Sequence, residues 1–181
     1  MAKFFPALTD SHQHFIRRQK IFFSASAPES GRVNVSPKGM DSFRVLDDTT
    51  VAYLDLTGSG NETAAHVLQN QRLTLMFCAF EGDPLILRLY GKGEVIAPHS
   101  VDWPVLIKHF DVLAGTRQII KLNIDSVQTS CGFGVPHFQF IGERDELLRW
   151  ANKKGETGLT QYRQEKNCSS IDGLDIPIDY K

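Results

Sequence analysis

"TVAYLDLTGSGNETAAHVLQN", residues 50–70, joins two kinds of local pattern through one turn. Residues 50–56 are β-branched, aromatic and aliphatic, with Asp55 as the single charge, which is strand composition. Gly58 and Gly60 break the run ahead of the helix-forming "NETAAHVLQN" (61–70). Strand, glycine turn and helix start is an order that exposes backbone N–H groups and points a helix dipole at an anion. The lysine that usually accompanies such a loop is absent, and Asp55 and Glu62 lie inside it. "GSG" is also not the G-x-S-x-G elbow of a hydrolase, so Ser59 is not read as a nucleophile. Any countercharge for an anion must come from another part of the chain.

Upstream, "TDSHQHFIRRQ" (9–19) predicts a short helix capped by Thr9 or Asp10. "KIFFSASA" (20–27) and "RVNVSP" (32–37) predict two strands joined by the turn-forming "PESG". Downstream, "RLTLMFCAF" (72–80) and "LILRLYGKGEVIA" (85–97) predict a hairpin around "EGDP". "HSVDWPVLIKHFDVL" (99–113) predicts a helix, with Pro104 near enough to its start to be tolerated. "RQIIKLNIDSVQTS" (117–130) alternates as a long strand, and helices are expected near 144–154 and 157–166 before an irregular end. Six strands joined mostly by hairpins, with helices inserted, imply a mainly β (α+β) antiparallel barrel with peripheral helices. A doubly wound parallel sheet would need regular strand–helix alternation, which the chain lacks.

The bulk properties narrow the function. With 181 residues, 41% of them apolar, the chain has the composition of one soluble globular domain. A net charge of −1 argues against nucleic-acid binding, and no apolar run approaches the roughly 18 residues needed to span a bilayer. The opening "MAKFFPALTDSHQHF" has no signal core, and Cys78, Cys131 and Cys168 are odd in number and widely spaced, so a cytoplasmic location is expected. His12 and His14 fall on different helix faces, and no His/Cys set has zinc-site spacing, so no metal is expected. "SCGFGVP" (130–136) reads as a tight turn with Cys131 a small buried residue, and "YGKGEVI" (90–96) as a strand with glycine kinks. Charge is uneven: residues 1–38 carry six Lys/Arg against two acids, and residues 41–62 carry five acids against Arg44. In "VNVSPKG" (33–39), strand alternation sets Asn34, Ser36 and Lys38 on one face, with Val33 and Val35 expected toward the core. One amide, one hydroxyl and one ammonium aligned in this way suit an anion.

Four segments in register, "FFSASAPESGRVNVSPKG", "VAYLDLTGSGNETAAH", "QRLTLMFCAF" and "LILRLYGKGEVI", resemble the pyridoxamine 5′-phosphate oxidase-related proteins. "SCGFGVP" and "SIDGL" resemble the far half of a bacterial subgroup of the same family. The resemblance implies a six-stranded antiparallel split β-barrel that forms a homodimer, with FMN in a groove at the subunit interface. It implies one FMN-binding domain over 1–181, its core about 15–142 and a helical C-terminal extension about 143–181. By the same resemblance Ser36 and Lys38 approach the flavin from one strand, where alternation adds Asn34 to the candidate cofactor-binding face, and Tyr53, Leu54 and Asp55 from the next. Ser59, Gly60, Asn61, Glu62 and Thr63 would hold the phosphate, with Lys38 as the missing countercharge.

The departures are specific. Glu62-Thr63 replaces an Arg-Lys pair, Val33 replaces an arginine, and Ile86 replaces a glutamine. "SSIDGLDIP" lacks the arginine and histidine that grip pyridoxine phosphate. The chain therefore reads as an FMN-dependent oxidoreductase of another small-molecule substrate, with no catalytic residue assigned. The alternative is a non-catalytic split-barrel dimer that binds flavin or another ligand.

Overall fold

Residues 51 and 53, 73, 75 and 77, 87 and 89, and 120 and 122 are apolar at every second position, and all of them are at most 3% exposed. Alternation of that kind gives a sheet one continuous apolar face. A computed structural model describes residues 2–180 and shows how that face is used. Eight strands form: β1 (Lys3–Phe5), β2 (Phe22–Ser26), β3 (Asn34–Lys38), β4 (Phe43–Val45), β5 (Thr50–Leu56), β6 (Arg72–Cys78), β7 (Ile86–Ile96) and β8 (Thr116–Ser130). Helices are α1 (Asp10–Arg18), α2 (Glu62–Asn70), α3 (Trp103–Leu106) and α4 (Glu146–Lys166). The sheet runs β3-β2-β6-β7-β8-β5-β4, with β1 added on β8, and every pairing is antiparallel. It curls as a split barrel around a core of Phe22, Val51, Tyr53, Leu75, Phe77, Leu89 and Leu122. Ala52, Leu54, Ile96 and Ile119 face the other way, into a second cluster covered by Trp103 and Leu106.

The expected mainly β architecture is present with eight strands in place of six. The two added strands, β1 and β4, are three residues long, too short to show a period. The helix expected over 99–113 contracts to α3 and a 3₁₀ turn at Ile107–His109. The two C-terminal helices meet at Gly155, whose φ of 65° breaks α4 internally. The turn at 130–136 is also present: Gly132 has φ 66°, and a Cβ there would lie 2.8 Å from the Leu85 backbone nitrogen. Cys131 beside it is exposed, however, and the buried cysteine is Cys78. On β3 the alternation is as expected with the faces reversed. Asn34, Ser36 and Lys38 face inward, half-buried, while Val35 is 58% and Val33 71% exposed. The cause is that this edge strand looks across at polar groups on β5 and α2, leaving its valines outside.

The sheet has two irregularities, one on each side of β8. Between Tyr90 and Gly91 the β7–β8 register shifts, and a Cβ on Gly91 would stand 2.0 Å from the Asn123 carbonyl oxygen. In the β5–β8 ladder, Asp55 pairs Gln118 but Leu56 pairs Thr116, so Arg117 is left over as a bulge. A bulge re-aims a side chain, and here it lets two consecutive residues, Arg117 and Gln118, reach the same carboxylate.

A buried polar network and two clefts along strand β3

Asp55 ends the apolar run of β5 and is 2% exposed. A buried carboxylate must be paired, and this one is paired on both oxygens. Lys38 Nζ donates to Oδ1 at 2.6 Å; Arg117 Nη2 and Gln118 Nε2 donate to Oδ2 at 2.7 and 2.8 Å. Burial alone would raise the Asp55 pKa, but Lys38 and Arg117 outweigh it and hold the carboxyl well below the usual range. Burial likewise works against the Lys38 ammonium, and Asp55 outweighs it, so the Lys38 pKa is raised. Lys38 also lies 5.6 Å over the Tyr53 ring. Two cations around one anion leave the trio with a net charge of +1.

From Asp55 the network passes to the glycine loop and then to the C-terminal segment. Gln118 Nε2 also donates to Asn61 Oδ1 at 2.8 Å, and Asn61 Nδ2 donates to the Tyr180 hydroxyl at 2.8 Å. Tyr180 in turn donates to Gln118 Oε1 at 2.7 Å, closing a ring of three side chains. Asn167, fully buried, accepts from Arg117 at 2.7 Å and donates to the Gly58 carbonyl at 3.1 Å. Arg117 donates to the Gly60 carbonyl, and Arg163 donates to Thr57 Oγ1 at 2.8 Å. Loop 57–61 is thus tied down by side chains that lie 57 to 119 positions further along the chain.

The consequence appears at the start of α2. Asn61 stands at the N-cap but makes no side-chain cap bond, because its amide is used in the network. The N–H groups of the first turn of α2 are left without a side-chain acceptor. Glu62, which opens that turn, lines a cleft of about 500 Å³ together with Asn34, Ser59 and Gly60, with Arg32 and Lys166 as its cations. A second cleft, of about 1090 Å³, lies at the other end of β3. Lys38, Pro37, Met40, Phe80, Phe138 and Phe140 are among its lining residues. Asn34 and Lys38, which reach the two clefts, are four residues apart on β3, about 13 Å at strand rise.

The residues expected to hold a ligand divide among these features. Ser59, Gly60 and Glu62 line the smaller cleft with Asn34, and Thr63 is buried behind them, accepting from Asn34 Nδ2 at 3.2 Å. Ser36 donates to Asn34 Oδ1 at 3.1 Å. Tyr53 is fully buried and bonds Ser24, and Leu54 faces the outer core cluster, away from both clefts. Lys38, expected beside the phosphate loop, serves Asp55 and lines the larger cleft, so the cations at the smaller one are Arg32 and Lys166. Glu62 is accounted for: its carboxylate accepts the Ile171 N–H at 3.0 Å and lies 4.0 Å from His66 Nε2. Sequence reasoning missed Arg32, Arg117, Gln118, Lys166, Asn167 and Tyr180. The readable signal was the polar pair Arg117-Gln118 set directly before the apolar Ile119-Ile120.

Comparison with known proteins agrees with this architecture. A model of the family described as pyridoxamine 5′-phosphate oxidase matches residues 8–131. A pyridoxamine 5′-phosphate oxidase family protein of Aspergillus flavus, UstO, is 40% identical over 194 residues, covering 96% of this chain and 77% of that protein. Among solved structures, HupZ of Group A Streptococcus superimposes with a TM-score of 0.53 at 19% identity, covering 66% of this chain and 91% of HupZ. A Lactobacillus delbrueckii protein described as a candidate pyridoxamine 5′-phosphate oxidase gives 0.53 at 20% identity, covering 68% and 94%. At such identities these two likenesses speak for the fold alone.

Proposed function

The chain belongs to the pyridoxamine 5′-phosphate oxidase family, and on that premise we propose that it is an FMN-binding protein, a flavin-dependent oxidoreductase of a small molecule, working as a homodimer. The observation that carries the reading is the uncapped start of α2 opening on a cleft that holds two cations. A phosphate monoester needs several donors and some positive charge, and this donor set supplies both. Glu62 keeps its negative charge beside the cleft with its carboxylate turned to the Ile171 N–H, and in this reading Arg32 and Lys166 offset it.

In this reading the first-turn N–H groups of α2, with Arg32 and Lys166, hold the phosphate. Asn34 and Ser36, already bonded to each other and to Thr63, form a fixed polar rail along the inner face of β3. Lys38 presents its charge at the far end of that rail, kept protonated by Asp55. The net positive charge of the Lys38–Asp55–Arg117 trio favours an electron-rich ligand in the larger cleft. Bound flavin supplies the redox chemistry, and the protein supplies position and polarity. The exposed Val33 and Val35 on edge strand β3 support a dimer that buries this edge beside the site.

The absorbance spectrum of the purified protein, with and without added FMN, tests the reading. We expect flavin bands that stay with the protein through gel filtration; a colourless protein that takes up no FMN overturns it. One observation favours the alternative of a non-catalytic flavin binder: Asp55 and Lys38 are locked to each other, which removes both as a free acid or base. Bound flavin that is reduced chemically but is neither reduced nor reoxidised by any organic donor or acceptor would establish that alternative.

A further inference from the structure

The C-terminal "NCSSIDGL" (167–174) contains the "SIDGL" that resembles a family motif, yet the proposed flavin chemistry gives it no role. Its position is informative. Lys166 ends α4, and Ser169, Ser170 and Ile171 line the 500 Å³ cleft opposite Ser59, Gly60 and Glu62. Among the described residues the Lys166 ammonium has no ion-pair or hydrogen-bond partner, so its charge is uncommitted. Asp172 holds Arg32 at the rim, accepting its backbone N–H at 2.6 Å and its guanidinium. The segment is secured from within: Ser170 accepts the Leu174 N–H at 3.0 Å, and Ile176 packs on Ala64 and Ala65 of α2. Asn167 at its start and Tyr180, six residues beyond its end, are the groups that fix Gly58 and Asn61 of the opposite wall.

We propose that residues 166–172 form the outer wall of the phosphate cleft, with Lys166 and Arg32 as its cations, and that Asn167 and Tyr180 are positioning residues holding this wall and loop 57–61 in register. The proposal rests on the reading that this cleft receives the FMN phosphate. It gives the phosphate two facing sides. One is the glycine loop and the first turn of α2. The other is a serine-bearing strap that the chain returns more than a hundred residues later. Charge absent from the loop itself is thereby delivered by the tail and by the start of β3.

FMN and riboflavin differ by the phosphate, so comparing their binding isolates this wall. Kd values for both flavins are measured on the full chain and on Lys166→Gln, Arg32→Gln and Tyr180→Phe. The two charge substitutions are at exposed side chains and leave the core intact. We expect each to weaken FMN on the order of fivefold, the scale of a partly exposed charge pair, with riboflavin unchanged. Tyr180→Phe, which removes an acceptor of Asn61 Nδ2 and the donor to Gln118 Oε1, should likewise reduce the preference for FMN over riboflavin. A structural defect would weaken both flavins together, and that result, or no change in either, overturns the proposal. If the wild type binds no flavin, the flavin reading falls and inorganic phosphate decides this proposal separately. Potassium phosphate should then raise the melting temperature above that in potassium chloride of equal ionic strength. Lys166→Gln should abolish the shift. A shift that persists in Lys166→Gln, or is absent from the wild type, overturns the proposal.

Discussion

At Asp55 both carboxylate oxygens are bound and the residue is 2% exposed, so the carboxylate and its partners stand or fall together. Removing one member of a buried pair leaves an uncompensated charge, which typically costs about 3–5 kcal/mol. Asp55→Asn strands Arg117, itself 3% exposed, and should lose about 3 kcal/mol or more in urea unfolding. Lys38→Met leaves Asp55 with Arg117 and Gln118 and removes an ammonium whose side chain is 23% exposed, so its cost should be smaller, about 1–2 kcal/mol. Equal losses for the two variants would show that Asp55 is not the hub. The same groups set the response to acid. The folded pKa of Asp55 lies below its unfolded value, so the unfolded chain binds more protons as pH falls between the two. The stability that Asp55 contributes is complete above about pH 5 and is lost below it. His12 and His66 are shifted downward by burial and carry the same sign from a higher starting point, near the ordinary histidine value of about 6.5. The melting temperature should therefore begin to decline below about pH 6.5 and fall further below about pH 5. A level melting temperature from about pH 7 to about pH 5 would show that these histidines are not held neutral.

Among the elements, β7 shows how little of the geometry a pattern reveals. "YGKGEVI" reads as a strand with glycine kinks, and that is what forms, yet its two glycines do different work. Gly91 sits at the register shift, where a Cβ would meet the backbone of Asn123 and Ile124. Gly93 faces α2, where a Cβ would lie 2.9 Å from Val67 Cγ2 and 3.1 Å from Leu73 Cδ2. Side-chain methyls can move and a paired strand backbone cannot. Gly93→Ala should cost about 1–3 kcal/mol, the usual range for overpacking, and Gly91→Ala more than that, read as melting temperatures of the two variants. A Gly91→Ala protein as stable as Gly93→Ala would place the bulge elsewhere. Long alternating runs such as β6, β7 and β8 were legible in the sequence because burial on one face imposes period two. β1 and β4 were not, since three residues show no period, and the alternation in β3 gave two faces without saying which turns inward. The candidate site was legible where it is local, in Asp55, Asn61 and the glycine loop. Arg117, Asn167 and Tyr180 reach it only through a bulge and a returning tail, and no spacing along the chain encodes that.

For the whole molecule, the open question is what covers the edge at β3. The sheet path ends there, and an edge strand paired on one side alone, with Val35 at 58% exposure and Val33 just before it at 71%, is the kind of edge that proteins protect. Natural edges are usually blunted by charge, and this one presents Val35, with Val33 just before the strand, ahead of Pro37, which removes an N–H donor. The inward side of the same strand carries the polar rail that leads from one cleft to the other. A second copy laid on this edge would bury the valines and close both clefts from outside, which couples assembly to ligand binding. Light scattering should then give twice the 20.3 kDa of the chain. Val35→Glu should shift the mass to one chain while leaving the fold intact, because an exposed charge on an edge strand costs little within the monomer. Flavin affinity should fall with the dimer, by far more than any single contact of Val35 explains. A Val35→Glu protein that remains dimeric would place the interface on another surface, and one that is monomeric but binds flavin unchanged would show that a single chain completes the site.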